Sequence, residues 1–203
     1  MVPAVSAMLS LLTLKLLDKE RLSHIDDFNC DEALALFAGL NIPPKKSFAT
    51  DYSYRTTRQQ QLKLLKSWTK QLSPILFPDA NSFSLDFHSI GHRGEDTDLE
   101  NHYQPMRSKA GPSVLTFFAM EQKSRVFCYS NANLTRHEQT QEVLRFVDFW
   151  REVMGRNPQW LYFDSKLTTY AELSRLTEKK VWFVTIRRRG SSILRRLESL
   201  PKE

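Results

Sequence analysis

The spacing of apolar residues changes near residue 81, and this change restricts the possible folds more than any other feature of the chain. Before it, apolar side chains recur every three or four residues, as on a helix that faces a core. After it, apolar and polar residues alternate over positions 83–88, which is the period of a β-strand with one buried face. The sequence therefore predicts a helical region over residues 1–79 and an α/β domain over residues 80–203.

The helical region contains several segments with different patterns. Residues 5–16 form a predicted helix whose buried face carries Val5, Met8, Leu9, Leu12 and Leu16. Asn29, followed three residues later by Glu32, predicts a capped helix that starts near Cys30. Polar residues 45–54 predict a loop. Residues 57–72 predict a long helix with one apolar side, made of Leu62, Leu65, Trp68 and Leu72.

The second region alternates predicted strands and helices. After the strand at 83–88, a hairpin is expected from residues 113–121 and 125–130. A helix over 137–154, with Val143, Val147, Trp150 and Met154 on one face, is expected to end at Gly155. A strand over 160–163, a helix capped by Thr169 and Glu172, and a buried strand over 181–186 follow. Single strands after helices imply parallel crossovers, so the prediction is a mixed sheet flanked by helices.

The composition excludes several classes of protein. Hydrophobic residues make up 41% of the chain and aromatic residues 11%, which excludes a disordered chain. The two cysteines, Cys30 and Cys128, exclude a disulfide scaffold and are expected to be free thiols in a reducing compartment. The apolar stretch over 5–17 is too short to span a membrane. We therefore expect a cytoplasmic protein without a membrane partner.

The positive charge is concentrated at one end of the chain. The net charge is +6, from 29 basic and 23 acidic residues, and residues 175–203 alone contain nine basic and three acidic residues. Such a cluster favours a polyanionic partner, most often nucleic acid, although a solvated surface is the alternative. The candidate contacts to a DNA backbone are Lys166, Arg187, Arg188 and Arg189.

Two aspartates occupy positions that suit metal binding. Asp86 lies on the polar face of the first predicted strand, and Asp164 directly follows the strand at 160–163. Two carboxylates from adjacent strands would suit a divalent cation such as Mg²⁺ or Mn²⁺. The alternatives are an edge-strand residue and, for Asp164, a helix cap. His88 shares the polar face with Asp86, where lining the site and facing solvent remain equal alternatives.

Four segments resemble DDE-type insertion-sequence transposases of the IS4-like group. They are LDFHSIGHRG (85–94), RVFCYSNA (125–132), LYFDSKLTTY (161–170) and FVTIRRRG (183–190). The resemblance extends over essentially the whole chain, and its most specific parts are FDSKLTTY and TIRRRG. It implies a ribonuclease-H-like, mixed five-stranded sheet flanked by helices and preceded by a small helical region. Three antiparallel strands would be followed by two strands parallel to the first, with the first and fourth strands adjacent.

The resemblance also implies an activity. Asp86 and Asp164 would be the first two acids of a catalytic triad that uses two Mg²⁺ ions to cleave and join DNA at transposon ends. The third acid, a glutamate on a helix after the fifth strand, has no clear match, and neither Glu198 nor Glu203 is assigned to it. The chain therefore resembles the N-terminal part of a truncated transposase.

Three hypotheses remain open at this stage. The first is an active transposase, and the second is a catalytically inactive remnant that binds DNA or pairs with a full-length enzyme. The third is an unrelated interaction module.

Overall fold

The structure is a computed structural model that describes residues 2–92, 98–186 and 190–200. The chain divides into two compact units, Met1–Gln61 and Leu62–Glu203. The long helix predicted over 57–72 crosses this division. The boundary predicted from the sequence, between residues 79 and 80, therefore remains a prediction.

The first unit is helical. It contains α1 (Ala4–Leu16), a 3-10 helix (Leu22–Phe28), α2 (Glu32–Phe37), α3 (Lys46–Arg55) and the start of α4 (Arg58–Leu76). Helices α1 and α3 both contact the 3-10 helix, and α1 also contacts α2. The interior that they share consists mainly of small or aliphatic residues, namely Ala7, Leu14, Ile25, Leu34, Ala35, Ala38 and Ala49.

The buried face of α1 is not the predicted one. The helix forms as expected, but Val5 and Leu16 are exposed, at 72% and 66%, whereas Ser6, Ser10 and Thr13 are buried. Ser10 Oγ donates to the Ser6 carbonyl and Thr13 Oγ1 to the Leu9 carbonyl, both at 2.8 Å. Because the helix backbone satisfies these hydroxyls, their burial leaves no polar group unpaired.

Two further predictions for this unit are wrong. Helix α2 is capped by Asp31 and not by Asn29, because the Asp31 carboxylate accepts the Leu34 amide at 3.0 Å. The predicted loop over 45–54 is largely helix α3. Phe48 and Tyr52 stack one turn apart in α3, with ring centroids 6.0 Å apart, and this spacing is the helical signal within an otherwise polar segment.

The second unit contains a six-stranded sheet. Its strands are β1 (Ser82–Gly91), β2 (Asn101–Gln104), β3 (Lys109–Glu121), β4 (Phe127–Asn131), β5 (Trp160–Phe163) and β6 (Trp182–Thr185). The sheet runs in the order β3-β1-β5-β6, and both β2 and β4 pair with β3. Strand β3 pairs antiparallel with β1 and with β4. Strand β5 pairs parallel with β1 and with β6.

This sheet confirms the predicted fold class. Apart from β2, it has the strand order and directions implied for a ribonuclease-H-like sheet, with β1 next to β5. Strand β2 was not predicted. It pairs with residues 109–112 at the start of β3, before the segment of β3 that pairs with β1.

One face of the sheet packs on helices. The predicted helix over 137–154 is divided into α5 (Arg136–Gln139) and α6 (Glu142–Met154), and Gly155 ends it as predicted, in a left-handed conformation with φ 71°. Phe83 on β1 packs edge-to-face on Phe146 and Trp150 of α6, with ring centroids 5.2 and 4.5 Å away. Helix α7 (Tyr170–Glu178) begins at the predicted Thr169 cap, and α8 (Ser191–Glu198) follows β6.

Helix α4 contributes to the same core, although one predicted contact is wrong. Leu62, Leu65 and Leu76 pack against the core, but Trp68 is half exposed. Thr69 is buried instead, and its hydroxyl donates to the Cys128 carbonyl at 3.2 Å. The Thr69 hydroxyl thus provides a hydrogen bond to a carbonyl of β4, whereas the neighbouring Trp68 is turned toward solvent.

The strand predicted to be fully buried, β6, has one exposed face. Trp182 and Val184 are 62% and 52% exposed, whereas Val181 just before the strand is buried. Among the residues that the structure describes, this strand lies at the end of the sheet and pairs only with β5. In the described ranges, none of the helices combines the length and the apolar composition that crossing a membrane requires.

Candidate carboxylate site

Asp86 lies in the middle of β1, on the sheet face opposite the core. Its neighbour Leu85 is buried, and Phe83 two positions earlier is fully buried. Because successive side chains on a strand point to opposite faces, Asp86 shares its face with Ser84 and is exposed to solvent. The predicted polar face of this strand is therefore observed.

Asp164 is the first residue after β5. The parallel register of β1 and β5 matches Ser84 with Tyr162 and ends with Leu85 matched to Phe163. Asp86 and Asp164 are the next residue on each chain, and adjacent strands lie about 5 Å apart. Each aspartate thus directly follows the last matched pair of two neighbouring strands, and their pairing as a site remains a prediction.

Both carboxylates are exposed and make only local hydrogen bonds within the described part of the chain. The Phe87 amide donates to Asp86 Oδ1 at 2.8 Å. The Ser165 hydroxyl donates to Asp164 Oδ1 at 3.2 Å, and the Asp164 carbonyl accepts the Leu167 amide at 3.1 Å, which closes a 3-10 turn over Ser165–Leu167. This turn directs the chain away from the sheet directly after the aspartate.

The donor set suits a cation that keeps water or phosphate ligands. Among residues 2–92, 98–186 and 190–200, no group of three or more His, Cys, Asp or Glu side chains is arranged to hold a metal ion. A closed protein cage, as a structural zinc site requires, is therefore not seen in these ranges. Mg²⁺ is commonly held by only one or two carboxylates together with waters and substrate phosphates, and Asp86 and Asp164 fit that pattern.

The structure describes only some of the other predicted site residues. His88 lies two residues beyond Asp86 on the same face and is exposed. Glu198 is the last residue of α8 and does not form a metal-binding group with the two aspartates, whereas Glu203 lies outside the described residues. Arg187, Arg188 and Arg189 also lie outside them, as does the side chain of Lys166.

Aromatic residues beside the carboxylates were not recognised as part of this surface in the sequence. Tyr162 lies two residues before Asp164 on β5, and Trp182 lies on β6, matched in register with Trp160. Trp160 and Tyr162 point away from the core, because they alternate with the core-facing residues Leu161 and Phe163, and Trp182 shares their face through its match with Trp160. The sequence WLYF is apolar at all four positions, so it gives no local signal of which side faces solvent.

The comparisons with known proteins find transposases among solved structures. No family model and no curated protein matches the sequence. The piggyBac transposase, in a synaptic complex with hairpin DNA, aligns with 98% of this chain and 45% of its own, at 14% identity and a TM-score of 0.46. The Mos1 transposase, in a pre-cleavage transpososome, aligns with 88% of this chain and 58% of its own, at 11% identity and a TM-score of 0.34. The chain thus spans about half of the length of these two proteins.

Proposed function

We propose that this chain is part of a DDE-type transposase, in which Asp86 and Asp164 are two of the acids that hold divalent cations for DNA cleavage and strand transfer. The observation that supports the proposal most directly is the register of β1 and β5. After the last matched pair, Leu85 and Phe163, each chain continues into an aspartate. These two aspartates are far apart in the sequence, and both face solvent.

The chemistry follows from what two neighbouring carboxylates can do. Mg²⁺ or Mn²⁺, when bound, supplies Lewis-acid activation of the attacking and leaving oxygens in phosphodiester cleavage. Asp86 supplies carboxylate oxygens from a strand whose hydrogen bonds to β3 and β5 fix its position. Asp164 supplies them from an exposed position directly after β5, where a 3-10 turn follows.

The finer assignment is also a proposal. The segments 85–94, 125–132, 161–170 and 183–190 support the IS4-like group of insertion-sequence transposases. The proposed partners are the DNA ends of the transposon and a second copy of the protein, and association with the bacterial nucleoid follows from DNA binding. The third acid is not assigned to a residue.

A second candidate function is a catalytically inactive protein that binds DNA or pairs with a complete transposase. One observation favours it: no third metal-ligating side chain joins Asp86 and Asp164 within the described residues. This candidate predicts salt-dependent DNA binding without cleavage in any divalent metal.

The test replaces each aspartate with asparagine, as Asp86→Asn and Asp164→Asn. For the first candidate, we expect Mn²⁺-dependent nicking of supercoiled plasmid to fall about a hundredfold or more, the scale on which one preorganised charged group acts. For both candidates, Mn²⁺ raises the thermal unfolding temperature of the wild type, and each substitution abolishes that increase because the ion binds the folded state through these oxygens.

Asp79→Asn is the matched control. Asp79 is an exposed aspartate in the same unit and pairs with Lys123 at 3.2 Å, away from the candidate site. It should leave both the nicking and the Mn²⁺ stabilisation unchanged. Stabilisation without nicking in the wild type would select the inactive candidate, and nicking that persists in Asp164→Asn would contradict the proposed site.

A further inference from the structure

The sheet face that carries Asp86 also carries a row of aromatic rings, two of them exposed and one, Trp160, partly buried. Trp160 and Tyr162 on β5 and Trp182 on β6 form this row, which we term the aromatic face. The Trp160 and Trp182 rings lie nearly parallel, at an interplanar angle of 25°, with centroids 5.8 Å apart. Trp182 is 62% and Tyr162 37% exposed, so flat ring surface is available to a ligand.

Sheets built only of parallel strands are normally covered on both faces, whereas antiparallel sheets can leave one face in water. In this chain, α6 covers the face with Phe83 and Leu161, whereas the aromatic face is open among the described residues. Exposed aromatic surface of this kind marks an interaction site. The question is therefore which kind of partner fits it.

The polar residues on the same face argue against a purely apolar partner. Ser84 is matched in register with Tyr162, and Asp86 and His88 follow along β1. A partner that covered the rings with apolar surface up to β1 would bury the Asp86 carboxylate, which is costly without a counter-charge. A ligand with flat rings and a hydrated, charged backbone does not incur this cost, because its charged part stays in water.

The charge around β6 matches a polyanion. Lys180 is exposed two residues before Trp182, and α8, with the exposed cations Arg195 and Arg196, begins six residues after the strand ends. Lys180 is thus the cation nearest along the chain to Trp182, and Arg195 and Arg196 follow further along the chain. Aromatic rings that stack on bases, together with cations that follow the phosphates, form the usual binding surface for single-stranded nucleic acid.

We propose that the aromatic face binds unpaired nucleotides of a single DNA strand, with bases stacked on Tyr162 and Trp182. The inference rests on the proposed function, because it makes the face a holder for the strand next to Asp86 and Asp164. It differs from that function in needing no metal ion. Base stacking is tolerant of sequence, so this contact gives affinity for unpaired strands and not recognition of particular bases.

The experiment measures binding of a short fluorescein-labelled oligothymidine by anisotropy, at low salt and with EDTA present. Trp182→Ala is expected to raise the Kd about tenfold, within the range found when a stacking ring is removed. Trp68→Ala is the matched control, because Trp68 is a similarly exposed tryptophan on α4. It should leave the Kd unchanged, and Trp182→Phe, which keeps a ring, should weaken binding less than Trp182→Ala.

The outcomes separate this inference from the proposed function. Equal affinities of wild type and Trp182→Ala overturn the inference, even if Mn²⁺ stabilisation and its loss in Asp164→Asn support the carboxylate site. Equal binding of a duplex and of the single strand, insensitive to Trp182→Ala, also overturns it. A concentration-dependent dimer in light scattering that Trp182→Ala disrupts would assign the face to a second copy. If Trp182→Ala unfolds, Trp182→Thr, which suits a strand but lacks a ring, takes its place.

Discussion

At the scale of single residues, hydrogen bonding decides burial as much as hydrophobicity does. Ser6, Ser10 and Thr13 are buried in α1 while Val5 and Leu16 are exposed. The apolar stripe predicted the helix correctly but assigned it the wrong buried face. Small hydroxyl residues allow close helix packing once the backbone accepts their protons.

Glu142 shows the same effect for a charged group. Its side chain is fully buried and accepts hydrogen bonds from Tyr129 at 2.7 Å, from Asn131 at 2.6 Å and from Arg145 at 3.1 Å. Burial and the neighbouring carboxylate raise the pKa of Tyr129 well above its usual value, so this tyrosine remains a hydrogen-bond donor at all ordinary pH values. The carboxylate thereby links β4 to the start of α6.

We predict that Glu142→Ala lowers the free energy of unfolding by about 3 kcal/mol, because it leaves the partners of a buried charge unsatisfied. Urea denaturation followed by circular dichroism measures this change. Glu178→Ala, at an exposed position near the end of α7, should change the stability by less than about 0.5 kcal/mol. A similar small effect at both positions would show that the Glu142 network contributes little.

At the scale of elements, capping residues determine where helices begin and end. Gly155 ends α6 with φ 71°, and the Thr169 hydroxyl accepts the Glu172 amide at the start of α7, at 3.4 Å. Both were identified in the sequence, since these signals depend on neighbours along the chain. The Asn29 prediction failed because Asp31, two residues later, offers the same chemistry.

We predict that Gly155→Ala destabilises the protein by about 1 kcal/mol, since a Cβ disfavours the left-handed conformation. No atom lies within 4 Å of the position that this Cβ would take, so the cost is conformational and not steric. Gly190→Ala is the control, because that glycine also has open space around it but does not have a left-handed φ. Thermal unfolding of the two variants should show a lower midpoint for Gly155→Ala only.

At the scale of the whole molecule, charge and sheet order act together. The excess of positive charge lies in residues 175–203, and the sheet places β5, which ends just before Asp164, beside β1, which carries Asp86. We expect the basic residues of this segment to contribute to the binding of a polyanion. We therefore expect the salt dependence of DNA binding to depend on several cations in this segment and not on a single contact.

We predict that the double variant Arg195→Gln/Arg196→Gln lowers the slope of log Kd against log salt for a single strand by about 1.4, at about 0.7 for each cation. Anisotropy titrations over a series of salt concentrations measure the slope. The double variant Lys63→Gln/Lys70→Gln removes the same charge from exposed positions on α4 and should leave the slope nearly unchanged. Equal changes in both variants would indicate a general effect of net charge.

The local sequence determined most elements of this protein. Period-two alternation identified β1, the apolar run of residues 160–163 coincides with β5, and the stripe of Val143, Val147 and Trp150 identified the buried face of α6. These features depend on residues close together in the chain, and period and capping express them directly. The adjacency of Asp86 and Asp164 came from the family resemblance and not from any local pattern.

Tertiary structure alone decided which surfaces are covered. It placed β2 against β3, buried the hydroxyl face of α1 and left Trp182 exposed at the end of the sheet. Each of these features depends on contacts between residues that are distant in sequence. An apolar run has the same local pattern whether a neighbouring element covers it or not, so only the assembled sheet and its helices show which face remains open to a partner.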